Sequence, residues 1–412
     1  MLLETFLPMP RLILVIALLL SNVESKLTAV SKKSIEDFHL NLYKSIVATK
    51  PDDNIFFSPY SISLALAMIT GGAQGKTEKE LLHLLQIPSR NQLDALVKQL
   101  MSITRLPEIK LANRLYPDKK FQILPAFKRR LEKLHNITLV SVDLNAKNVT
   151  PVINGINTWV SNQTGGYIKK ALDKKDLVGN TSPAVNALLI INCLLFDGTF
   201  LFFSHMFSLD YFFSATWQVE FQGQNTLDGN TFYPDIGPPL EKKLTLMRKM
   251  DLTFTIILPN KNIKLSQVES NLTPALLNSP TTTNQNIFLS IPKWKFEFES
   301  QLENILKTKM KLNDIFDQNK ANVKGLSMEK NIFLSNLIHK TYIIVDEKGV
   351  RAAATSIARI MLTTSTRPDV NFLCNKPFIY AIRYKQTTLF MGRYVKVIDT
   401  SNMPPIMDDK RG

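Results

Sequence analysis

The side chains best suited to acid–base, nucleophilic or metal chemistry are few in this sequence and stand far apart. The five histidines are His39, His83, His135, His205 and His339. None has a second ligand at the short spacing of a metal-binding motif, and there is no Gly-x-Ser-x-Gly elbow, no Cys-x-x-Cys pair and no glycine-rich phosphate loop. We therefore expect no metal, no cofactor and no enzyme; an unrecognised hydrolase is the catalytic alternative left open.

The two cysteines lie in apolar surroundings. Cys193 is part of the run IINCLLF and Cys374 of the run NFLCNKPF. A free thiol in such a run behaves as a small hydrophobic side chain. Because spacing along the sequence does not report proximity, a disulfide between the two cysteines stays open.

A different kind of chemistry is suggested by the stretch VDEKGVRAAATSIARIMLTTSTRP, Val345 to Pro368. One alternate set of its residues is small or apolar throughout: Val350, Ala352, Ala354, Ser356, Ala358, Ile360 and Leu362. The other set contains Arg351 and Arg359. This period of two is typical of a strand with one buried face, yet the stretch opens on an acidic-glycine turn and ends in polar residues and proline. It predicts a segment that is a strand only part of the time.

The elements around this stretch predict one large domain. The chain has 412 residues, of which 45% are hydrophobic, with only 15 glycines and 21 prolines, so it can bury a large core and has no low-complexity linker. The apolar run Leu12 to Leu20 is too short to span a bilayer, which needs roughly 20 residues. We interpret residues 1–25 as a signal peptide and residues 26–412 as the domain, with a buried N-terminal strand as the alternative. The expected location is extracellular, by secretion without a membrane anchor.

Glycosylation sequons fit that route. Their acceptor residues are Asn136, Asn148, Asn162, Asn180 and Asn271. Such triplets also arise by chance, and Asn162 lies in a run with helical spacing, so we expect only some of them to be used.

The net charge of +15, from 50 basic and 35 acidic residues, favours anionic partners such as a sulfated glycosaminoglycan. The densest basic run is PAFKRRLEKLH, Pro125 to His135. Its apolar residues have helical spacing, so Lys128, Arg129 and Arg130 are either the solvated side of an amphipathic helix or a polyanion site. Nucleic acid is not expected, because no basic patch is interleaved with aromatic residues.

The predicted elements are helices first and strands later. Ile35, Phe38, Leu42 and Ile46 form one helical stripe, with Ser34 as the expected cap. A second, buried helix is expected to start at Ser58, with Gly71 and Gly72 ending it. From Ala184 onward, apolar β-branched runs such as AVNALLIINCLLF predict strands that are buried on both faces.

The chain resembles the serpins, a family of serine protease inhibitors, over almost its whole length. The pieces that carry the resemblance, in order, are NIFFSPYSISLALAMITGGAQGKT, IKLANRLY, INTWVSNQTGGYI, INCLLFDGT, IPKWKFEF, LIHKTYIIVDEKGVRAAAT and NKPFIYAIRY. The resemblance implies an α+β serpin fold, with a helical N-terminal half, large mixed β-sheets and an exposed reactive-centre loop. It also implies a monomer.

The resemblance implies that the stretch from Val345 is a protease bait. After the protease forms an acyl-enzyme, the loop would insert as a new strand in the main sheet and trap the protease in a covalent complex. The implied hinge residues are Glu347, Gly349, Val350, Ala352, Ala353 and Ala354. The family's spacing from the hinge puts the cleaved bond among Leu362, Thr363 and Thr364, whereas counting back from NKPF places it slightly later. These side chains suit a chymotrypsin-like or elastase-like protease.

The resemblance also implies a polar cluster beneath the sheet opening, which the family calls the shutter. The matching residues are Ser58, Ser61, Asn192 and His339. Their hydrogen bonds would hold the sheet closed or open, and His339 is structural whether or not the loop inserts.

Several departures from the family pattern bear on function. Residues 201–216 are interpreted as an insertion, either an aromatic surface loop or a translated intron, and comparison with the family pattern implies that two strands of the second sheet are missing near residues 249–251. In the loop, Val350 replaces the usual Thr or Ser, and Arg351 replaces an acidic residue. The alternatives therefore kept are a non-inhibitory carrier or storage protein, a defective variant cleaved as a substrate, and a polyanion-binding structural protein.

Overall fold

The computed structural model describes residues 35–177, 186–196, 207–209, 212–217, 226–228, 241–248, 252–278, 287–292, 294–345 and 370–397. The predicted signal peptide, the expected cap Ser34, His205 and the whole loop between Val345 and Val370 lie outside these ranges.

Helices dominate the chain before residue 178. The first, α1, covers residues 35–49. The others are α2 (Pro59–Thr70), α3 (Gly75–Leu84), α4 (Arg90–Ile103), α5 (Pro125–His135), α6 (Thr150–Gln163), α7 (Lys174–Leu177), α8 (Leu265–Asn271), α9 (Pro274–Asn278) and α10 (Leu302–Thr308), with a 3-10 turn at Asp314–Phe316.

The strands are concentrated later but begin among the helices. They are β1 (Ile55–Phe57), β2 (Ile109–Pro117), β3 (Leu188–Phe196), β4 (Phe207–Leu209), β5 (Phe212–Trp217), β6 (Thr226–Asp228), β7 (Glu241–Arg248), β8 (Leu252–Pro259), β9 (Ile287–Pro292), β10 (Trp294–Gln301), β11 (Leu334–Val345), β12 (Val370–Leu373), β13 (Phe378–Tyr384) and β14 (Thr387–Tyr394). The predicted helical half therefore also contributes β1 and β2.

These strands form three sheets. One has six strands in the order β1-β14-β13-β8-β7-β6, and two have four strands in the orders β10-β11-β3-β2 and β12-β9-β5-β4. In the second of these sheets, β11 runs parallel to β3, while β10 and β2 run antiparallel to their neighbours. Both four-stranded sheets are mixed, since β12 also pairs parallel with β9, whereas the six-stranded sheet is antiparallel at each of its described pairs.

The central helix α2 starts and ends where the sequence predicts. The Ser58 side chain accepts a hydrogen bond from the backbone N–H of Ser61, Pro59 occupies the first turn, and Gly71 is the C-cap. Every residue of α2 is buried, because its side chains are small or apolar on all sides. The predicted stripe of α1, including Phe38 and Leu42, is buried as well.

Strand β3, in the middle of its four-stranded sheet, is buried on both faces. Leu188, Ile190 and Leu194 belong to the large core that includes α2. Leu189 and Ile191 belong to a second core, in which α6 packs against the opposite face. Cys193 and Cys374 are both buried and free, so no disulfide links them, and burial raises the pKa of Cys193 to about 12.

Two regions that depart from the family pattern form strands here. Part of the predicted insertion, residues 201–216, forms β4 and most of β5, and these two strands pair with each other antiparallel. Near residues 249–251, where two strands are predicted to be missing, β7 and β8 pair directly from Arg248 opposite Leu252. The origin of both departures stays a prediction.

Candidate functional site

The candidate site is the seam, by which we mean the parallel ladder between β3 and β11. It runs from Leu188 opposite Leu334 to Leu195 opposite Tyr342, with one irregularity in register between Leu334 and Asn336. The seam lies in the middle of its sheet. The loop that the sequence predicts as bait, residues 346–369, follows the end of β11 directly.

The four predicted shutter residues come together beneath the seam. His339 and Asn192 are direct partners across the ladder, and both are fully buried. The backbone N–H of Ser58 donates to His339 Nε2 at 3.0 Å. The Ser61 hydroxyl donates to Asn192 Oδ1 at 2.8 Å, and Asn192 Nδ2 donates to the Ser61 carbonyl at 2.9 Å. The cluster thus ties the start of α2 to both strands of the seam.

These contacts fix the tautomer of His339. Because Nε2 accepts from Ser58, it carries no proton, so Nδ1 holds the proton and donates to Asn192 Oδ1 at 2.6 Å. Burial lowers the pKa of His339 to about 3, against the opposing effect of its bonding with Asn192. A second proton would face the Ser58 N–H donor, so the cluster requires a neutral imidazole.

Two further bonds extend the cluster beyond the residues that the resemblance supplies. The Ser58 hydroxyl donates to the Leu389 carbonyl of β14 at 2.6 Å. The Thr341 hydroxyl of β11 donates to the Phe56 carbonyl of β1 at 2.5 Å. Sequence reasoning missed both, because their acceptors are backbone carbonyls that leave no trace in the residue types.

On the opposite face, the segment 164–177, which we call the strap, lies over the seam. Its Ile168 and Leu172 pack in the same core as Ile191 of β3. The backbone carbonyl of Lys170 accepts a hydrogen bond from Lys340 of β11. Burial opposes the charge of Lys340, but the carboxylates of Glu299 at 2.9 Å and Glu297 at 3.3 Å raise its pKa.

More contacts bind the strap to β11 and β10. The Tyr167 ring lies 5.6 Å from the Tyr342 ring, measured between centroids. Asn336 Nδ2 of β11 donates to the Asp176 carbonyl at 3.0 Å, and Gln301 Nε2 of β10 donates to the Asp176 carboxylate at 2.7 Å. The strap is therefore bonded to β11, one strand of the seam, and to β10, the strand on the other side of β11.

The predicted glycosylation residues within the described ranges are all exposed, but their settings differ. Asn136 is in the left-handed conformation at the end of α5, Asn148 precedes α6, and Asn271 ends α8. Asn162 lies inside α6, and the hydroxyl of its Thr164 is buried and donates to the Val160 carbonyl. Asn180 lies outside the described residues.

The predicted bait residues also lie outside the described residues: Glu347, Gly349, Val350, Ala352, Ala353, Ala354, Leu362, Thr363 and Thr364. Within the described ranges, no group of histidine, cysteine or acidic side chains could hold a metal ion. No helix among those ranges is long and apolar enough to cross a membrane.

The described helices and mixed four-stranded sheets form the α+β architecture that the resemblance to serpins implies. The sequence matches the family model of the serpins, serine protease inhibitors, over residues 33–397. The chain therefore belongs to the serpin family, whose members are protease inhibitors rather than enzymes and act on serine proteases.

Relatives and solved structures agree with this assignment. The chain is 30% identical to Serpin B8 of Homo sapiens, over 87% of this chain and 96% of that protein. It is 29% identical to a leukocyte elastase inhibitor of Xenopus tropicalis, over 87% of this chain and 97% of that protein. The structure of native protease nexin-1 with heparin superposes with a TM-score of 0.74 at 20% identity, covering 89% and 99% of the two chains. The predicted serpin fold is thereby confirmed.

Proposed function

We propose that this serpin traps a chymotrypsin-like or elastase-like serine protease by inserting its loop into the seam. The protease serine attacks the carbonyl of Leu362 or Thr363, the peptide bond breaks, and the new amine leaves with a proton. The loop stays bound to the protease as an ester. Insertion then carries the protease away before water hydrolyses that ester.

The observation that carries this proposal is the parallel pairing of β3 with β11. A strand that turns back at the end of β11 and enters the seam runs antiparallel to both neighbours. One parallel ladder is then replaced by two antiparallel ladders, and antiparallel pairing is slightly more stable per residue. The sheet with the loop inserted is therefore lower in free energy than the closed sheet of the uncleaved protein.

The loop sequence suits that new strand. Its inward set has no charged member, and burying Val350, Ile360 and Leu362 contributes about 1.5 to 3 kcal/mol each. Each added strand hydrogen bond contributes roughly 0.5 to 1.5 kcal/mol. Together these gains rival the roughly 5 to 15 kcal/mol that keeps a protease folded. The branched side chain of Val350 slows the first step of insertion, but it is apolar and can be buried.

The test is a mixture of the serpin with chymotrypsin or elastase, run on a denaturing gel. We expect a band at the summed mass with at least one of them. Ala354→Glu places a charge on the buried face and should abolish that band while the loop is still cut. Ala353→Glu, the same substitution on the alternate, outward set, is the matched control and should keep the band. If every protease that cuts the loop yields only clipped serpin, the substrate or carrier alternative is correct.

The position of the cleaved bond can be determined separately. Mass spectrometry of the small C-terminal fragment should find it starting at Thr363 or Thr364. Arg367 is a poor choice for a trypsin-like protease, because Pro368 follows it and lacks the N–H of an ordinary scissile amide. A fragment that starts at Ile360 would instead identify Arg359 as the bait and a trypsin-like target.

We also propose that the protein is secreted as a monomeric glycoprotein. The apolar run at the start of the sequence and the exposure of Asn136, Asn148 and Asn271 support this proposal. Asn162 is the described asparagine least suited to carry a glycan, because the threonine of its sequon, Thr164, is buried. Expression in mammalian cells should yield protein in the medium whose mass falls on deglycosylation, and retention inside the cells would contradict the proposal.

A polyanion is a second partner that we propose, on the basis of the net charge of +15. The basic face of α5 offers less free positive charge to a polyanion than the sequence predicts. Arg130 forms an ion pair with Asp94, with a second contact at 2.9 Å. Lys128 and Arg129 are exposed, but the carboxylate-bearing Glu132 is exposed beside them.

A further inference from the structure

The strap carries four exposed lysines within residues 169–175, a stretch in which Asp173 is the one acidic residue. Lys169, Lys170, Lys174 and Lys175 are all exposed. Lys170 forms an ion pair with Asp173 at 2.8 Å. Among the described residues, no carboxylate forms an ion pair with the other three lysines, so their charge is available to an outside ligand.

A groove of about 460 Å³ extends this charge from the strap to the body of the protein. Lys175 of the strap and Lys50, just after α1, both line it, together with the polar side chains of Thr49, Ser300 and Asn304. Among the described lining residues, Glu299 alone is acidic, and its carboxylate lies 2.9 Å from Lys340. The groove therefore offers two cations and neutral hydrogen-bonding groups to an anion.

We propose that the strap and this groove together bind a sulfated polysaccharide. The lysines follow one another along the strap from residue 169 into α7 and continue across the groove to Lys50, so a linear polymer with repeated anionic groups contacts more of them than a single small anion. One anionic group lies in the groove between Lys175 and Lys50, and the chain continues along Lys174 toward Lys169. This assigns the polyanion to a surface other than α5.

Binding there has a consequence for the seam, which rests on the proposed inhibitory function. Insertion must move β11 away from β3 by one strand spacing, about 4.8 Å. The strap cannot keep its contacts with both strands during that movement. A polymer that joins Lys175 to Lys50 holds the strap on the body and favours the closed seam, because it binds that state better. The bound polysaccharide therefore slows trapping.

Binding is measured on the uncleaved protein without protease, by titration with low-molecular-mass heparin at 0.15 M ionic strength, which is about physiological. The strap variant combines Lys169→Ala, Lys174→Ala and Lys175→Ala. The matched control combines Lys128→Ala, Arg129→Ala and Lys133→Ala on α5, removing the same charge. We expect the strap variant to lose affinity at least about tenfold and the control to stay within about twofold, with both unfolding at the wild-type temperature.

Several results would overturn the assignment: no heparin binding, an equal loss in both variants, or a larger loss in the α5 variant. Polyphosphate and anionic vesicles of phosphatidylserine are run in parallel, and equal or tighter binding of either would refute a site for sulfated sugar. Rates of complex formation with and without heparin give the second readout, which should fall in the wild type and not in the strap variant. If no protease is ever trapped, the titration still decides where heparin binds.

Discussion

The seam and the β13–β14 hairpin are both buried strand pairs, but they are held in opposite ways. The seam is a parallel ladder closed by neutral hydrogen bonds among Ser58, Ser61, Asn192 and His339. The hairpin is antiparallel and fastened by buried charges. Arg393 of β14 forms an ion pair with Glu269 of α8 at 3.2 Å.

Arg383 of β13 is the second buried arginine of the hairpin, and it too is held by hydrogen bonds to buried partners. Arg383 donates to the Leu277 carbonyl at 2.5 Å and to the Gln386 carbonyl at 2.8 Å. Burial opposes the charge of Glu36, but His39 and Arg383 lower its pKa overall. Neutral bonds can be exchanged at small net cost, whereas a buried charge that loses its partner is strongly destabilising. The seam is thus suited to open, and the hairpin to stay closed.

The largest effect should come from breaking the hairpin's ion pair. Arg393→Met leaves Glu269 buried without its cation, which should cost about 3 to 5 kcal/mol of unfolding free energy. Urea unfolding measures the loss. The control is Lys396→Ala, since the pair of Lys396 with Asp53 is exposed and should contribute about 1 kcal/mol or less. Equal losses in the two variants would remove the distinction between buried and exposed pairs.

The second-largest loss of stability is expected where β14 lies close to β1. A Cβ atom on Gly392 would lie 2.2 Å from the Ile55 carbonyl oxygen and 2.9 Å from the Tyr380 ring. Gly392→Ala should therefore force the strands apart and cost about 3 kcal/mol. Gly155→Ala in α6 is the matched control, because nothing lies within 4 Å of its Cβ position, and it should stabilise by about 0.5 to 1 kcal/mol. An unchanged urea midpoint for Gly392→Ala would contradict the packing.

A smaller loss is expected at the seam. His339→Leu fills most of the space but leaves the Ser58 N–H without an acceptor and Asn192 Oδ1 with the Ser61 hydroxyl as its remaining donor, which should cost about 2 kcal/mol. The location of the effect matters more than its size. Hydrogen exchange should quicken in β3 and β11 and stay unchanged in β13 and β14. Quicker exchange in both pairs would mean that the seam does not open independently.

Acid should weaken the seam gradually. The pKa of His339 is lowered by burial to about 3, below the value near 6.5 of an unfolded chain. The unfolded chain therefore binds the extra proton, and stability is lost as the pH falls from about 6.5 toward 3, by at most about 1.4 kcal/mol per pH unit for this histidine.

Single substitutions distinguish the contribution of His339 from that of a second buried histidine, His135, whose pKa is lowered in the same way. Burial lowers the pKa of His135, at the end of α5, to about 3 as well. His339→Leu and His135→Leu should each reduce the slope of stability against pH. Only His339→Leu should remove the acid-induced rise in exchange at β3 and β11. If His135→Leu removes it instead, the shutter is not the site of acid sensitivity.

Local patterns predicted the elements better than the contacts between them. The small and apolar residues after Ser58 predicted a buried α2 with its cap, and the run around Asn192 predicted a strand buried on both faces. The resemblance was needed to place His339 beside Asn192, because they are far apart in sequence. The ion pair of Arg393 with Glu269 was missed, since nothing in the local sequence indicates that either charge is buried.

The strap was missed for a related reason. The sequence directed attention to the basic run on α5, where charge is densest. In the folded protein Arg130 forms an ion pair with Asp94, whereas the lysines of the strap are exposed to solvent. Density of charge along the chain does not predict which charges remain free after folding.

The most direct test of loop insertion compares thermal unfolding of the intact serpin with that of the same protein cut within residues 360–364. Insertion adds buried apolar residues and a second ladder, so the cut protein should unfold at a temperature higher by about 10 °C or more. Amides of β3 and β11 should exchange more slowly after the cut. A cut protein that unfolds at the same or a lower temperature, with unchanged exchange at the seam, would contradict insertion.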